Sequence, residues 1–117
     1  MKLKRALLAT LAVLVAPGLA QASSWLQCDW LVSVERVESG QVAWRYERFL
    51  GSDGSARLDE AECRQQVPAG PVALAEITAG LELLAPGSRL AARWSSYSAM
   101  TPDGSMLVTG WQLRVME

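Results

Sequence analysis

The sequence contains no histidine, and Lys2 and Lys4 are its only lysines. Without an imidazole there is no Ser-His or Cys-His nucleophile and no histidine general base. Zinc and copper sites of the usual histidine-rich kind are excluded as well. With both lysines in the first five residues, the rest of the chain has no amine for a Ser-Lys dyad, a Schiff base or a phosphate loop. Cysteine is scarce too, and if Cys28 and Cys63 are bridged no thiolate nucleophile remains. Of the common catalytic schemes only a carboxylate pair survives, as in glycoside hydrolysis. Asp59, Glu60 and Glu62 are candidates by proximity, yet their polar surroundings read as a solvated face, and the chain is small for an enclosed sugar cleft. The expectation is a protein with no catalytic residue, no metal and no cofactor.

Long apolar runs are missing except at the start. Lys2, Lys4 and Arg5 precede an apolar run over residues 6–16, and Ala20-Gln21-Ala22 gives the small-x-small pattern a signal peptidase reads. The run is short for a bilayer, which needs about 20 apolar residues. Residues 1–22 therefore read as a signal peptide cleaved after Ala22, and residues 23–117 as one β-rich domain that is periplasmic or secreted. Trp25-Leu26-Gln27 before Cys28 lacks the small residues expected ahead of a lipid-modified cysteine. In an oxidising compartment Cys28 and Cys63 form a disulfide, a useful staple for so small a core.

After cleavage, eight arginines face twelve carboxylates, a net charge of about −4. Nucleic acid and anionic membrane surfaces select for clustered positive charge, so neither is an expected partner.

What remains alternates. Leu26, Cys28, Trp30, Val32 and Val34 share one parity, with Gln27, Asp29, Ser33 and Glu35 on the other, the period of a half-buried strand. Glu38-Ser39-Gly40 is a turn signal, and residues 41–50 resume alternation with Val42, Trp44 and Tyr46 inward. Ser52-Asp53-Gly54-Ser55 reads as a second turn. Residues 56–66 lose alternation and gain helix formers, with Ser55 or Asp59 as the cap. Residues 72–85 are read as two short strands, although Leu74, Ile77, Leu81 and Leu84 also have helical spacing. Residues 88–98 form a strand with Leu90, Ala92 and Trp94 inward. After the turn at Pro102-Asp103-Gly104, residues 105–116 form its partner, with Leu107, Trp111, Leu113 and Val115 aligned. The sum is a mainly β fold: a small antiparallel β-sandwich or OB-like barrel of five to six strands, at most one short helix and one disulfide.

Among the five tryptophans, Trp30, Trp44, Trp94 and Trp111 share faces with aliphatic residues and belong to the core. Trp25 lies on the polar parity. Arg89, Arg93 and Tyr97 fall four residues apart on the outward parity of one strand, and arginine and tyrosine are enriched at protein-interface hot spots. These four residues are the expected partner-binding set. Arg45, Glu47 and Phe49 form a second outward strip, in which Phe49 is an exposed apolar residue. The turns at Asp53 and Asp103 resemble fragments of calcium loops but lack further acidic ligands, so they read as plain turns.

A leader, about 95 following residues, one disulfide and a small β body resemble the format of bacterial periplasmic lysozyme inhibitors and effector-immunity proteins. That resemblance implies a non-enzymatic binding protein with a protein partner, inhibitor- or immunity-like, and carries no site residue across. The alternative is a small-ligand or glycan-binding module that stacks its ligand on Trp25 and Tyr97. Unguarded edge strands would also permit a homodimer.

Overall fold

The computed structural model describes residues 23–116; the expected leader, residues 1–22, lies outside the described residues. The fold is mainly β. The strands are β1 (Ser23–Glu38), β2 (Gln41–Gly54), β3 (Val72–Ala73), β4 (Ile77–Ala79), β5 (Arg89–Thr101) and β6 (Gly104–Val115). Among the described residues one α-helix, α1 (Glu60–Gln66), follows β2, and 3-10 turns at Leu74–Glu76 and Leu81–Leu83 flank β4. All six strands join one sheet in the order β3-β2-β1-β5-β6-β4, antiparallel except for the parallel pair β4 and β6.

Ser39 and Gly40 close the β1–β2 hairpin with both φ angles positive, at 53° and 75°. This primed geometry matches the right-handed strand twist. Three register shifts then bend the pair, leaving Leu50, Glu47 and Glu35 as the extra residues between matched positions. Each bulge adds local twist and resets the side-chain parity. Phe49 consequently pairs with Trp30 and turns inward, with ring centroids 5.8 Å apart. This corrects the expectation of an exposed Phe49: simple alternation holds only until a bulge shifts the count.

The bending is strong. A three-residue 3-10 turn, Leu74–Glu76, carries the chain from β3 on one edge of the sheet to β4 on the other. Four Cα steps reach at most about 15 Å, so the two edges must lie near one another. No ladder joins β3 to β4, and the sheet is not closed. The barrel alternative therefore does not form; the curled, open sheet is sandwich-like.

The concave inner face holds the core. Trp30 meets Tyr46 at 5.0 Å and Trp111 at 6.3 Å, while Trp111 meets Trp44 at 5.0 Å and Trp94 at 5.2 Å. Around them pack Val32, Val34, Val42, Ile77, Leu90 and Leu113. The helix α1 covers one end. Asp59 caps it by accepting from the Glu62 N–H at 2.9 Å, and the Glu62 carboxylate accepts from the Asp59 N–H at 2.9 Å. Two of the three candidate catalytic carboxylates are thus engaged in starting a helix. Cys63 on that helix is bridged to Cys28 on β1, both fully buried.

Three further expectations need correction. Ser52-Asp53-Gly54 is not a turn, because β2 continues through Gly54 opposite Leu26. The two short strands in residues 72–85 exist but lie at Val72–Ala73 and Ile77–Ala79. Leu81–Leu83, within the same segment, form a 3-10 turn and not a strand, entered through Gly80 in the left-handed region at φ 88°. A Cβ on Gly80 would overlap the Leu113 carbonyl, so glycine is what lets this segment approach β6. Finally, Leu107 and Val115 share a parity with Trp111 but are exposed, Leu107 at 68% and Val115 at 55%.

Candidate functional site

The convex outer face changes character along its length. Near the β1–β2 turn it is a web of ion pairs. The Glu47 carboxylate accepts from Ser33, from Arg45 at 2.9 Å and from Arg89 at 3.1 Å, and Arg45 also reaches Glu35 at 3.2 Å. These donors, Ser33 first and Arg45 next, hold Glu47 below the usual carboxylate range. In the middle, Arg93 makes a two-pronged pair with Asp29, Nε to Oδ1 at 2.9 Å and Nη2 to Oδ2 at 3.1 Å. That hydrogen-bonded carboxylate raises the Arg93 pKa further.

Beyond Arg93 the face becomes apolar. Trp25, Tyr97 and Val108 stand side by side in one row across β1, β5 and β6. Their exposures are 44%, 42% and 55%, and Met106 extends the apolar area on β6. The next row, Gln27, Ser95 and Gly110, has little bulk at its centre; the row after it is Asp29, Arg93 and Gln112. A shallow depression of ≈ 210 Å³ lies over Ser95 and Gly110, walled by Trp25, Tyr97 and Val108 and closed by Thr78 of β4. A Cβ on Gly110 would come within 3.0 Å of the Thr78 methyl, so this glycine keeps the floor low. The Ser95 Oγ lies buried in that floor with no hydrogen-bond partner.

The backbone explains why Trp25 is held in place. Its carbonyl accepts from the Ser55 N–H at 2.8 Å, and its N–H donates to the Ser55 Oγ at 3.0 Å. Gly54, at φ 130°, permits this clasp, because a Cβ there would overlap the Trp25 carbonyl.

The four residues expected to bind a partner thus divide. Trp25 and Tyr97 come together, both exposed. Arg93 borders the depression but is tied to Asp29, and Arg89 lies in the ion-pair web away from the aromatic row. Val108, Gly110, Ser95 and Thr78 were not singled out from the sequence. One signal was present: Met106-Leu107-Val108 is an apolar run inside a strand, which places apolar residues on both faces. Among the described residues no cluster of metal-ligating side chains occurs and no helix is long and apolar enough to cross a membrane. No protein-family model, curated protein or solved structure matches the chain.

Proposed function

We propose that this is a non-catalytic binding protein of the periplasm or extracellular space, and that it engages another protein through the Trp25–Tyr97–Val108 row. The observation that carries this reading is that two aromatic rings and a valine are exposed side by side on paired strands. Large aromatics fixed on a rigid scaffold supply contact area at low entropic cost, and exposed apolar patches of this kind mark interaction sites. The depression beside them, ≈ 210 Å³, is smaller than the ~300–1,000 Å³ typical of small-molecule pockets. It suits one inserted partner side chain. Gln27, Gln112 and the Arg93–Asp29 pair form a polar border, as interface rims do. The buried Cys28–Cys63 bridge and the leader pattern support an oxidising compartment.

The test is affinity capture from a periplasmic extract with the wild-type protein and with Trp25→Ala/Tyr97→Ala as baits, read by mass spectrometry. A specific partner should be retained by wild type and weakened at least about tenfold by the double substitution, as for hot-spot residues. Equal capture by both baits overturns the reading. A small ligand or glycan seated over Ser95 is the other occupant the depression admits. A low-molecular-mass fraction that raises the melting temperature of wild type but not of Trp25→Ala, with no protein captured, would put that occupant in its place.

A further inference from the structure

The outer edge of β6 is unguarded, and its sequence is self-complementary. β5 pairs with β6 along its whole length, but the β4 ladder to β6 is confined to Ile77–Trp111 and Ala79–Gln112. Residues 104–109 therefore have no strand on their other side among the described residues. Natural sheet edges of this length are blunted by charge, proline or a bulge. Between Gly104 and Gly110 lie Ser105, Met106, Leu107, Val108 and Thr109, with neither charge nor proline, and the β5–β6 register there runs without a shift. Leu107 is 68% exposed and Val108 55%.

Read outward from Leu107, the residue types repeat on both sides: apolar, hydroxyl, glycine. A two-fold axis through Leu107 thus sets Leu107 against itself, Met106 against Val108 and Ser105 against Thr109. We infer that this edge pairs antiparallel with the same edge of a second copy, joining two six-stranded sheets into one. Such a contact is isologous, and only a self-complementary strand satisfies it. Each copy completes the other's open backbone ladder and covers its exposed Leu107. Met106 and Val108 share the outer face with Tyr97, so the two apolar rows merge into one strip across the dimer. In this register Asp103 of each copy comes nearest Glu76 of the other. Both are exposed, so that repulsion is screened and is small beside the ladder bonds and apolar pairs gained.

The inference is independent of what the outer face binds, since Leu107 points to the opposite face from Trp25 and Tyr97. The experiment is sedimentation velocity on the full chain, in the form the host's processing leaves, over a wide concentration range. Wild type should sediment as a concentration-dependent dimer. Leu107→Lys and Leu107→Asp should each be monomeric, because the axis places like charges directly opposite, weakening association at least about tenfold. An equimolar mixture of the two should associate again, which no general surface effect would produce. Mild oxidation of Leu107→Cys should give a covalent dimer, whereas Val108→Cys, opposite Met106, should not. Circular dichroism of each variant checks folding, which an exposed side chain should leave intact. A wild type that stays monomeric, or a Leu107→Lys protein that still dimerises, overturns the inference.

Discussion

Trp44 on β2 and Trp111 on β6 meet edge to face with ring centroids 5.0 Å apart, although β1 and β5 lie between their strands in the sheet. Strands are spaced about 4.8 Å apart, so in a flat sheet these positions would be some 14 Å distant. The contact exists because the sheet curls around its own tryptophans. Trp111 touches Trp30, Trp44 and Trp94 and is fully buried. Trp111→Ala should therefore destabilise the fold by about 3–5 kcal/mol, as large-to-small substitutions in cores do. Trp25→Ala, on the exposed face, should change stability by less than about 1 kcal/mol. Urea denaturation of the two variants checks the contrast, and similar losses would mean that the core is not organised around Trp111.

The Cys28–Cys63 bridge closes a loop with a sequence separation of 35. Loop-closure entropy assigns such a cross-link about 4 kcal/mol. Cys28→Ala/Cys63→Ala should lower the denaturation free energy by an amount of that order, and reduction of the wild type should lower it similarly. A loss near zero would show that the unfolded chain is already compact around this segment.

Gly54 carries a prediction about the site rather than the core. Gly54→Ala places a Cβ against the Trp25 carbonyl at a backbone φ of 130° that L residues rarely adopt. It should destabilise by roughly 1–3 kcal/mol and loosen the Ser55 clasp on Trp25. Tryptophan fluorescence quenching by acrylamide should rise in the folded variant, and Ser55→Ala should reproduce part of that rise. Gly40→Ala, which meets no atom within 4 Å, should leave the quenching unchanged.

Glu47 makes stability depend on pH. Its folded-state pKa is lowered by Ser33, Arg45 and Arg89, so the stabilisation is complete above the ordinary glutamate range and is lost as pH falls through the lowered value. Thermal melts at about pH 6 and about pH 3 should show a smaller acid loss in Glu47→Gln than in wild type. The difference should be modest, because the web is exposed to solvent and salt. An unchanged acid loss would mean that the Glu47 contacts form no net interaction.

Residue chemistry and alternation decided much of this protein without any structure. The inward parity of Cys28, Trp30, Val32, Val34, Leu90, Ala92 and Trp94 was legible because consecutive strand residues point to opposite faces. The Ser39-Gly40 turn and the Cys28–Cys63 pairing were legible because the one is local and the other, with two cysteines, has one solution, whereas the helix cap was narrowed only to Ser55 or Asp59 and the fold chose Asp59. Bulges were not legible. Leaving Glu47 and Leu50 out of the ladder follows from how β2 wraps around Trp30, a demand set by partners distant in sequence, and it turned Phe49 inward. The candidate site followed the same division. The exposure of Trp25 and Tyr97 could be read from parity, but their adjacency depends on the β1–β5 register, and their separation from Arg89 on ion pairs between strands. The sequence by itself determined which faces are apolar and which chemistries are excluded. Only the tertiary structure, through sheet curvature and strand register, decided which of those faces meet in the core and which are left exposed to solvent.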